Sequence, residues 1–117
     1  MAVVTGTNWN AYDAATMTAR EIYGRTLAEL GKHNDRIVGL TADLAKTTAI
    51  VHFEKAFPER FFNVGIAEQN MFGIAAGLAK AGLIPFASTM ATFTCLRAGE
   101  QVRTDIAYQN LPVKIIA

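Results

Sequence analysis

An apolar run turns into a helical stretch within Arg60-Phe61-Phe62-Asn63-Val64-Gly65-Ile66-Ala67-Glu68-Gln69-Asn70-Met71. Residues 61–66 are typical of a buried strand, and we expect a long helix to follow from Glu68 to Lys80. Glu68 is the first charge after the apolar run. A strand that delivers a carboxylate to the start of a helix, at the carboxyl edge of a parallel sheet, places it where open α/β folds bind ligands. Glu68 is therefore our candidate catalytic residue.

Strands and helices are predicted to alternate along the chain. Apolar runs without polar alternation indicate buried parallel strands at residues 36–41, 61–66, 84–89 and 113–117. Apolar residues at helical spacing indicate helices at residues 13–30, 50–57, 68–80 and 96–108. Asp13 or Thr16 could cap the first helix, and Gly31 is expected to end it. This order predicts an α/β fold, a three-layer sandwich with a parallel sheet and right-handed crossovers.

The composition favours one compact soluble domain, since the 117 residues are 51% hydrophobic and 18% charged. With 11 basic and 10 acidic side chains the net charge is +1, which lacks the clustered positive field that nucleic-acid binding requires. Cys95 is the single cysteine, and the N-terminus has no signal-peptide pattern, so we expect a cytoplasmic protein. No apolar run reaches the ~18 residues that a membrane helix needs.

The domain is expected to cover residues 13–117, after an irregular N-terminal segment at residues 1–12. Its last predicted strand, residues 113–117, is apolar up to the final residue. Because domain termini usually lie in exposed polar segments, we expect a fragment whose C-terminal part is missing. The apolar content is high for so small a domain, which indicates contact with a partner.

Several further motifs accompany residues 61–70 in a fixed order: Thr41-Ala42-Asp43-Leu44 before them, then the run from Gly73 to Gly77, Pro85-Phe86-Ala87-Ser88-Thr89, and Gln101-Val102-Arg103. Together they resemble the pyrimidine-binding domain of transketolase-like thiamine diphosphate enzymes. The resemblance runs from about Thr18 to Ala117. The likeness is greatest to the C-terminal subunit of split, two-chain transketolases. Deoxyxylulose-phosphate synthase and the beta subunits of two-oxoacid dehydrogenases share the domain and are the alternatives.

The resemblance implies a catalytic role for Glu68. In this family the glutamate forms a hydrogen bond with the pyrimidine ring nitrogen of thiamine diphosphate and activates the cofactor. A partly buried setting that raises the pKa of Glu68 would help, and the apolar neighbours Ile66, Met71 and Phe72 are consistent with it. The alternative is a first-turn glutamate that only complements the helix dipole.

The resemblance also implies a set of binding residues. The cofactor-binding positions are Asp43, Leu44, Glu68, Met90 and Phe93, with Met90 replacing a phenylalanine that many members carry. Arg20 and Thr47 match positions that hold the phosphate of a sugar-phosphate substrate, and a guanidinium suits that role. From the residues alone, Asp43 is equally a loop or cap residue, Phe93 ordinary core and Arg20 a surface arginine.

The resemblance implies a shared site as well. The family's Gly-Asp-Gly motif, which binds the diphosphate and its magnesium, has no counterpart in this chain. We therefore expect a diphosphate-binding N-terminal transketolase subunit or domain as partner, with magnesium bound there and no metal ligand here. His33 and His52 stand without metal-ligand spacing, and Cys95 is expected to be buried. The small-residue face from Gly73 to Gly77 is expected to let two helices approach closely across a subunit interface, and homo-oligomer contacts, as in a dimer, are expected as well.

The predicted activity is that of a transferase subunit in carbohydrate metabolism, which moves a two-carbon ketol unit between sugar phosphates and is inactive alone. The alternative from another class is a non-catalytic α/β dimerisation scaffold. Substitution of Glu68 distinguishes the two, because a scaffold would lose nothing from it.

Overall fold

The computed structural model describes residues 16–117, so the predicted irregular segment at 1–12 and the proposed cap Asp13 lie outside the described residues. The described strands are β1 (Ile37–Thr41), β2 (Phe61–Asn63), β3 (Ile84–Ser88) and β4 (Lys114–Ile116). The helices are α1 (Ala19–His33), α2 (Val51–Ala56), α3 (Glu68–Lys80), α4 (Ala91–Leu96) and α5 (Gly99–Gln101), with a 3₁₀ turn at Pro58–Arg60 and a π-helical segment at Val102–Ala107.

The four strands form one parallel sheet in the order β2-β1-β3-β4. At the carboxyl end of β1, Thr41 is in register with Asn63 of β2 on one side and with Ser88 of β3 on the other. The chain therefore steps from β1 to β2 in one direction and returns to place β3 on the opposite side of β1. This reversal creates a crevice at the carboxyl edge, between β1 and β3.

Helices cover both faces of the sheet. On one face, α1 and α2 contribute Leu27 and Phe53 to a buried cluster with Ile37 of β1. On the other face, α3 packs Met71 and Phe72 against the sheet. The result is the predicted three-layer α/β sandwich with a parallel sheet, and that prediction is confirmed. The predicted helix from Glu68 to Lys80 is also confirmed in its bounds.

The predicted end of the first helix at Gly31 was wrong. Helix α1 begins after Thr18, whose hydroxyl accepts a hydrogen bond from the Glu21 N–H, and it continues to His33. Gly31 is buried within it, and a Cβ there would lie 2.6 Å from a ring carbon of Phe57. Gly31 is therefore a packing position, and sequence punctuation alone could not distinguish this role from a cap.

The predicted third long helix at residues 96–108 was wrong in its start and in its regular form, although residues 99–107 are helical. Helix α4 ends at Leu96, and a break at Arg97 and Ala98 separates it from α5 and the π-helical segment. The Ala98 N–H donates to the Phe93 carbonyl oxygen, and Ala98 is fully buried. The short α4 leaves Cys95 exposed, so its predicted burial was wrong too.

Candidate active site

The carboxyl edge of the sheet is held together by hydrogen bonds between the loops that leave β1 and β3. The Thr41 hydroxyl donates to the Ser88 carbonyl oxygen at 3.1 Å and accepts from the Leu44 N–H at 3.3 Å. Thr41 and Ser88 are both fully buried. The two loops that flank the crevice are therefore tied to each other through one buried side chain.

Glu68 lies at this edge, as the first residue of α3, and its side chain is 1% exposed. Its Oε2 accepts a hydrogen bond from Nη1 of Arg97 at 2.7 Å, and its Oε1 accepts one from the Thr89 hydroxyl at 3.3 Å. The preceding turn includes Gly65, whose φ of 74° suits a residue without a Cβ. The local sequence therefore places a buried, charge-paired carboxylate beside the loop that follows β3.

The pKa of Glu68 reflects opposing effects. Burial raises it, because a buried carboxyl group resists ionisation. The hydrogen bond from Arg97, the backbone N–H of Glu68, the charge of Arg97 and the Thr89 hydroxyl lower it, and together they outweigh burial. The pKa of Glu68 therefore lies below its ordinary value. The expectation of a raised pKa was wrong because it did not include Arg97, and Ile66 does not bury the carboxylate because it is itself 76% exposed.

Arg97 connects Phe93 to Glu68, because its guanidinium contacts both side chains. The guanidinium carbon of Arg97 lies over the Phe93 ring, 4.2 Å from its centroid, and the two residues are four positions apart on and just beyond α4. This is cation–π geometry. A planar nitrogen heterocycle fits the chemistry of these groups, since the carboxylate accepts from a ring N–H and the phenyl ring offers a stacking face.

Asp43 and Leu44 lie in the loop after β1, on the side of the crevice next to β2. Asp43 has a φ of 61°, and Asn63 holds it there by accepting from the Asp43 N–H at 3.0 Å and donating to the Asp43 carboxylate at 3.3 Å. Asp43, Leu44, Thr47 and Asn63 line a depression of about 360 Å³. Asn63, which the sequence patterns did not indicate, therefore ties the loop at Asp43 to the end of β2.

Arg20, Thr47 and Met90 line a neighbouring cavity of about 450 Å³ above the carboxyl ends of β3 and β4. Nη1 of Arg20 donates to the backbone oxygen of Thr47 at 3.4 Å, so the Thr47 hydroxyl is not used in this contact. Met90 is 43% exposed, which suits a lining position. Thr89 lines the same cavity and also donates to Glu68, so it links the cavity to the carboxylate.

Tyr23 of α1 lines the same cavity, and its hydroxyl lies 2.6 Å from the Ser88 hydroxyl. Burial raises the pKa of Tyr23 to about 12, although the hydrogen bond with Ser88 works against that rise. Because the pKa is higher in the folded than in the unfolded chain, the neutral phenol contributes stability that is fully present below the ordinary value of about 10. That stability is lost as the pH rises from there through the folded pKa.

We expect Tyr23→Phe to flatten the fall in unfolding free energy between about pH 10 and 12. Urea unfolding across this range, on the variant and the parent protein, measures the effect. Tyr108→Phe is the matched control, since Tyr108 is 88% exposed and its loss should leave the pH dependence unchanged. If both variants keep the slope of the parent protein, the phenol of Tyr23 does not carry the predicted linkage.

Three site residues were not indicated by the sequence patterns: Arg97, Asn63 and Tyr23. For Arg97 a signal exists, because an arginine four residues after a phenylalanine on a helix can contact it. For Asn63 the signal is weaker, since an asparagine side chain often bonds to the backbone two residues on, and here it accepts from the Gly65 N–H. Tyr23 lies far from the motif segments in sequence, and only the fold brings it to the crevice.

The fold and the site together define the class of this protein: a parallel α/β domain with a buried glutamate in a crevice at the carboxyl edge of its sheet. The family model named "Transketolase, pyrimidine binding domain" matches residues 15–117. The chain belongs to this family, and the resemblance seen in the sequence is confirmed. Membership in this family implies that the domain belongs to a transketolase-type protein that depends on thiamine diphosphate.

Individual relatives agree with this assignment. A Methanocaldococcus jannaschii protein named as a transketolase C-terminal section is 54% identical over 98 residues, covering 84% of this chain and 31% of the relative. The 1-deoxy-D-xylulose-5-phosphate synthase of Halothermothrix orenii is 42% identical over 99 residues, which cover 85% of this chain and 15% of the relative. This chain therefore spans less than a third of the length of either relative.

Solved structures show the same domain. A split-gene transketolase, described as an inactive beta4 tetramer, superposes with a TM-score of 0.75 at 59% identity, covering 82% of this chain and 32% of that one. The transketolase of Campylobacter jejuni superposes with a TM-score of 0.71 at 24% identity, over 82% of this chain and 15% of that one. This second likeness supports the fold alone.

Two further properties concern the described part of the chain. Residues 16–117 contain no helix that is both long and apolar enough to cross a membrane. The same residues contain no group of three or more histidine, cysteine, aspartate or glutamate side chains that could hold a metal ion.

Proposed function

We propose that this chain supplies the pyrimidine-binding part of a transketolase-type enzyme, which transfers a two-carbon ketol unit between sugar phosphates. The observation that carries the proposal is the buried carboxylate of Glu68 at the carboxyl-edge crevice, beside Phe93. Thiamine diphosphate, when bound, supplies the chemistry that accepts and transfers the ketol unit. Glu68 would accept a hydrogen bond from its pyrimidine ring, and Phe93 and Met90 would pack against that ring.

The other residues would position the cofactor and the substrate. Leu44, held by the Thr41 hydroxyl, would support the bent cofactor from the loop after β1. Asp43 would maintain that loop through Asn63. Arg20 and Thr47 line a cavity of about 450 Å³, which supports a site for the phosphate of the sugar substrate.

The partner is part of this proposal. The relatives include a transketolase C-terminal section and a split-gene transketolase, which supports a diphosphate-binding N-terminal subunit as partner and contacts between copies of the chain. Magnesium would be bound with the diphosphate by that partner. We further propose a cytoplasmic location, as expected for carbohydrate metabolism in a reducing compartment.

A second candidate is deoxyxylulose-phosphate synthase, which the 42% identity to the Halothermothrix orenii enzyme favours. It would use the same glutamate on different substrates. A two-oxoacid dehydrogenase beta subunit would use that glutamate on a two-oxo acid. Donor choice therefore separates transketolase from both alternatives.

We expect thiamine diphosphate with magnesium to bind the mixture of this chain and the N-terminal subunit, but to bind either component alone weakly or not at all. Calorimetry on the mixture and on each component measures this. Donor assays with ketose phosphates and with two-oxo acids on the same mixture then identify the reaction. Absence of cofactor binding in every mixture would instead support the non-catalytic scaffold.

A further inference from the structure

Arg97 contacts the two groups that the proposed function gives to the pyrimidine ring. Its guanidinium donates to Oε2 of Glu68 at 2.7 Å and lies over the Phe93 ring at 4.2 Å from the centroid. Neither contact belongs to the packing of the core, since Arg97 is 43% exposed. The Arg97 side chain therefore occupies both the hydrogen-bond acceptor, Glu68, and the stacking face, the ring of Phe93.

The chemistry of a guanidinium explains this double contact. It is planar, carries N–H donors in its plane and stacks on aromatic faces. A pyrimidine ring that donates an N–H to a carboxylate while it packs on a phenyl ring makes the same two demands. A ring face holds one planar group at a time, so a pyrimidine ring could stack on the face of Phe93 that Arg97 covers only after the guanidinium leaves it.

The burial of Glu68 requires that one donor replaces the other. A carboxylate that is 1% exposed is costly to leave unpaired, and its other contact, with the Thr89 hydroxyl, is long at 3.3 Å. Arg97 can leave at low cost, because it lies at the break between α4 and α5 and its side chain is already partly in water. Exchange of donors keeps Glu68 paired throughout.

We propose that Arg97 is an exchangeable occupant of the pyrimidine site, which competes with the cofactor for Glu68 and Phe93 and moves toward solvent when the cofactor binds. This inference rests on the proposed function. Occupancy by Arg97 reduces the population of chains that are ready to bind, and the apparent affinity falls by the same factor. Arg97 acts through Glu68 and Phe93, so it is a positioning residue and not a catalytic one.

The test is calorimetric binding of thiamine diphosphate with magnesium to the complex of this chain and the N-terminal subunit. We expect Arg97→Ala to lower the dissociation constant by about tenfold, the scale of a charge-assisted hydrogen bond. Arg97→Gln keeps a neutral N–H donor and should give a smaller decrease. Arg103→Ala is the matched control, because Arg103 pairs with exposed Glu100 and should leave the dissociation constant unchanged.

A chemical rescue separates competition from a simple change of charge. Guanidinium chloride at a non-denaturing concentration should fill the place vacated in Arg97→Ala and weaken cofactor binding competitively, whereas sodium chloride at equal concentration should not. Unchanged or weaker binding in Arg97→Ala, or absence of the guanidinium effect, would overturn the inference alone. Absence of cofactor binding by the parent complex would overturn the proposed function and the inference with it.

Discussion

We expect Glu68→Gln to lower the activity of the assembled enzyme by about 10²–10⁴-fold while the chain remains folded. The loss is large because the neutral amide cannot act as the anionic acceptor that the proposed mechanism requires at the pyrimidine ring. Folding survives because glutamine has nearly the same shape, and its carbonyl oxygen still accepts from Arg97 or Thr89. Single-turnover rates with saturating cofactor measure the effect apart from cofactor binding.

Glu100→Gln is the matched control for this experiment. Glu100 is also paired with an arginine, at 2.9 Å from Arg103, but it is exposed on the surface of the domain. Its substitution should leave the rate within about threefold of the parent enzyme, since surface changes are usually small. If Glu68→Gln and Glu100→Gln behave alike, Glu68 is a structural first-turn glutamate and the scaffold function gains support.

The sequence predicted the fold well where local pattern and tertiary structure agree. The apolar runs that became β1 and β3 are buried centrally in the sheet, so their composition alone identified them. Both ends of helix α3 could be predicted from the sequence, because the charged Glu68 marks its start and Lys80 followed by Gly82 marks its end. The order of these elements was sufficient for the parallel three-layer arrangement.

The pattern failed where a long-range contact decides the local structure. Gly31 resembles a helix end, but its lack of a side chain serves the packing of Phe57, and Arg60 donates to its carbonyl oxygen at 2.9 Å. Ala98, at the break between α4 and α5, is fully buried, and its burial cannot be read from the spacing of apolar residues. Such features require knowledge of which elements lie against each other.

The candidate site also has features that the sequence predicts and features that depend on long-range contacts. Glu68 could be selected from the sequence because it follows a strand and opens a helix, and the structure places it at the predicted edge. The charge state of Glu68 could not be predicted, because it depends on Arg97, which is 29 residues away in sequence.

We expect Gly24→Ala to lower the free energy of unfolding by about 2–3 kcal/mol, and Gly73→Ala to raise it by about 0.5–1 kcal/mol. Both glycines lie inside helices, so both substitutions remove the same backbone freedom from the unfolded chain. They differ in what the new Cβ meets. At Gly24 it would overlap the carbonyl oxygen of Ala49 and lie 2.8 Å from its carbonyl carbon, while at Gly73 nothing lies within 4 Å.

The clash at Gly24 is difficult to relieve because it involves backbone atoms. Ala49 has a φ of 61°, a left-handed conformation that is already unfavourable for alanine, and the turn leads directly into α2. Helix α1 would have to move away from α2, which would open the cluster around Leu27 and Phe53. Urea unfolding of both variants and the parent protein measures the two changes with opposite sign. Equal effects at Gly24 and Gly73 would show that helix propensity alone governs both positions, and that α1 does not pack against the Ala49 turn this closely.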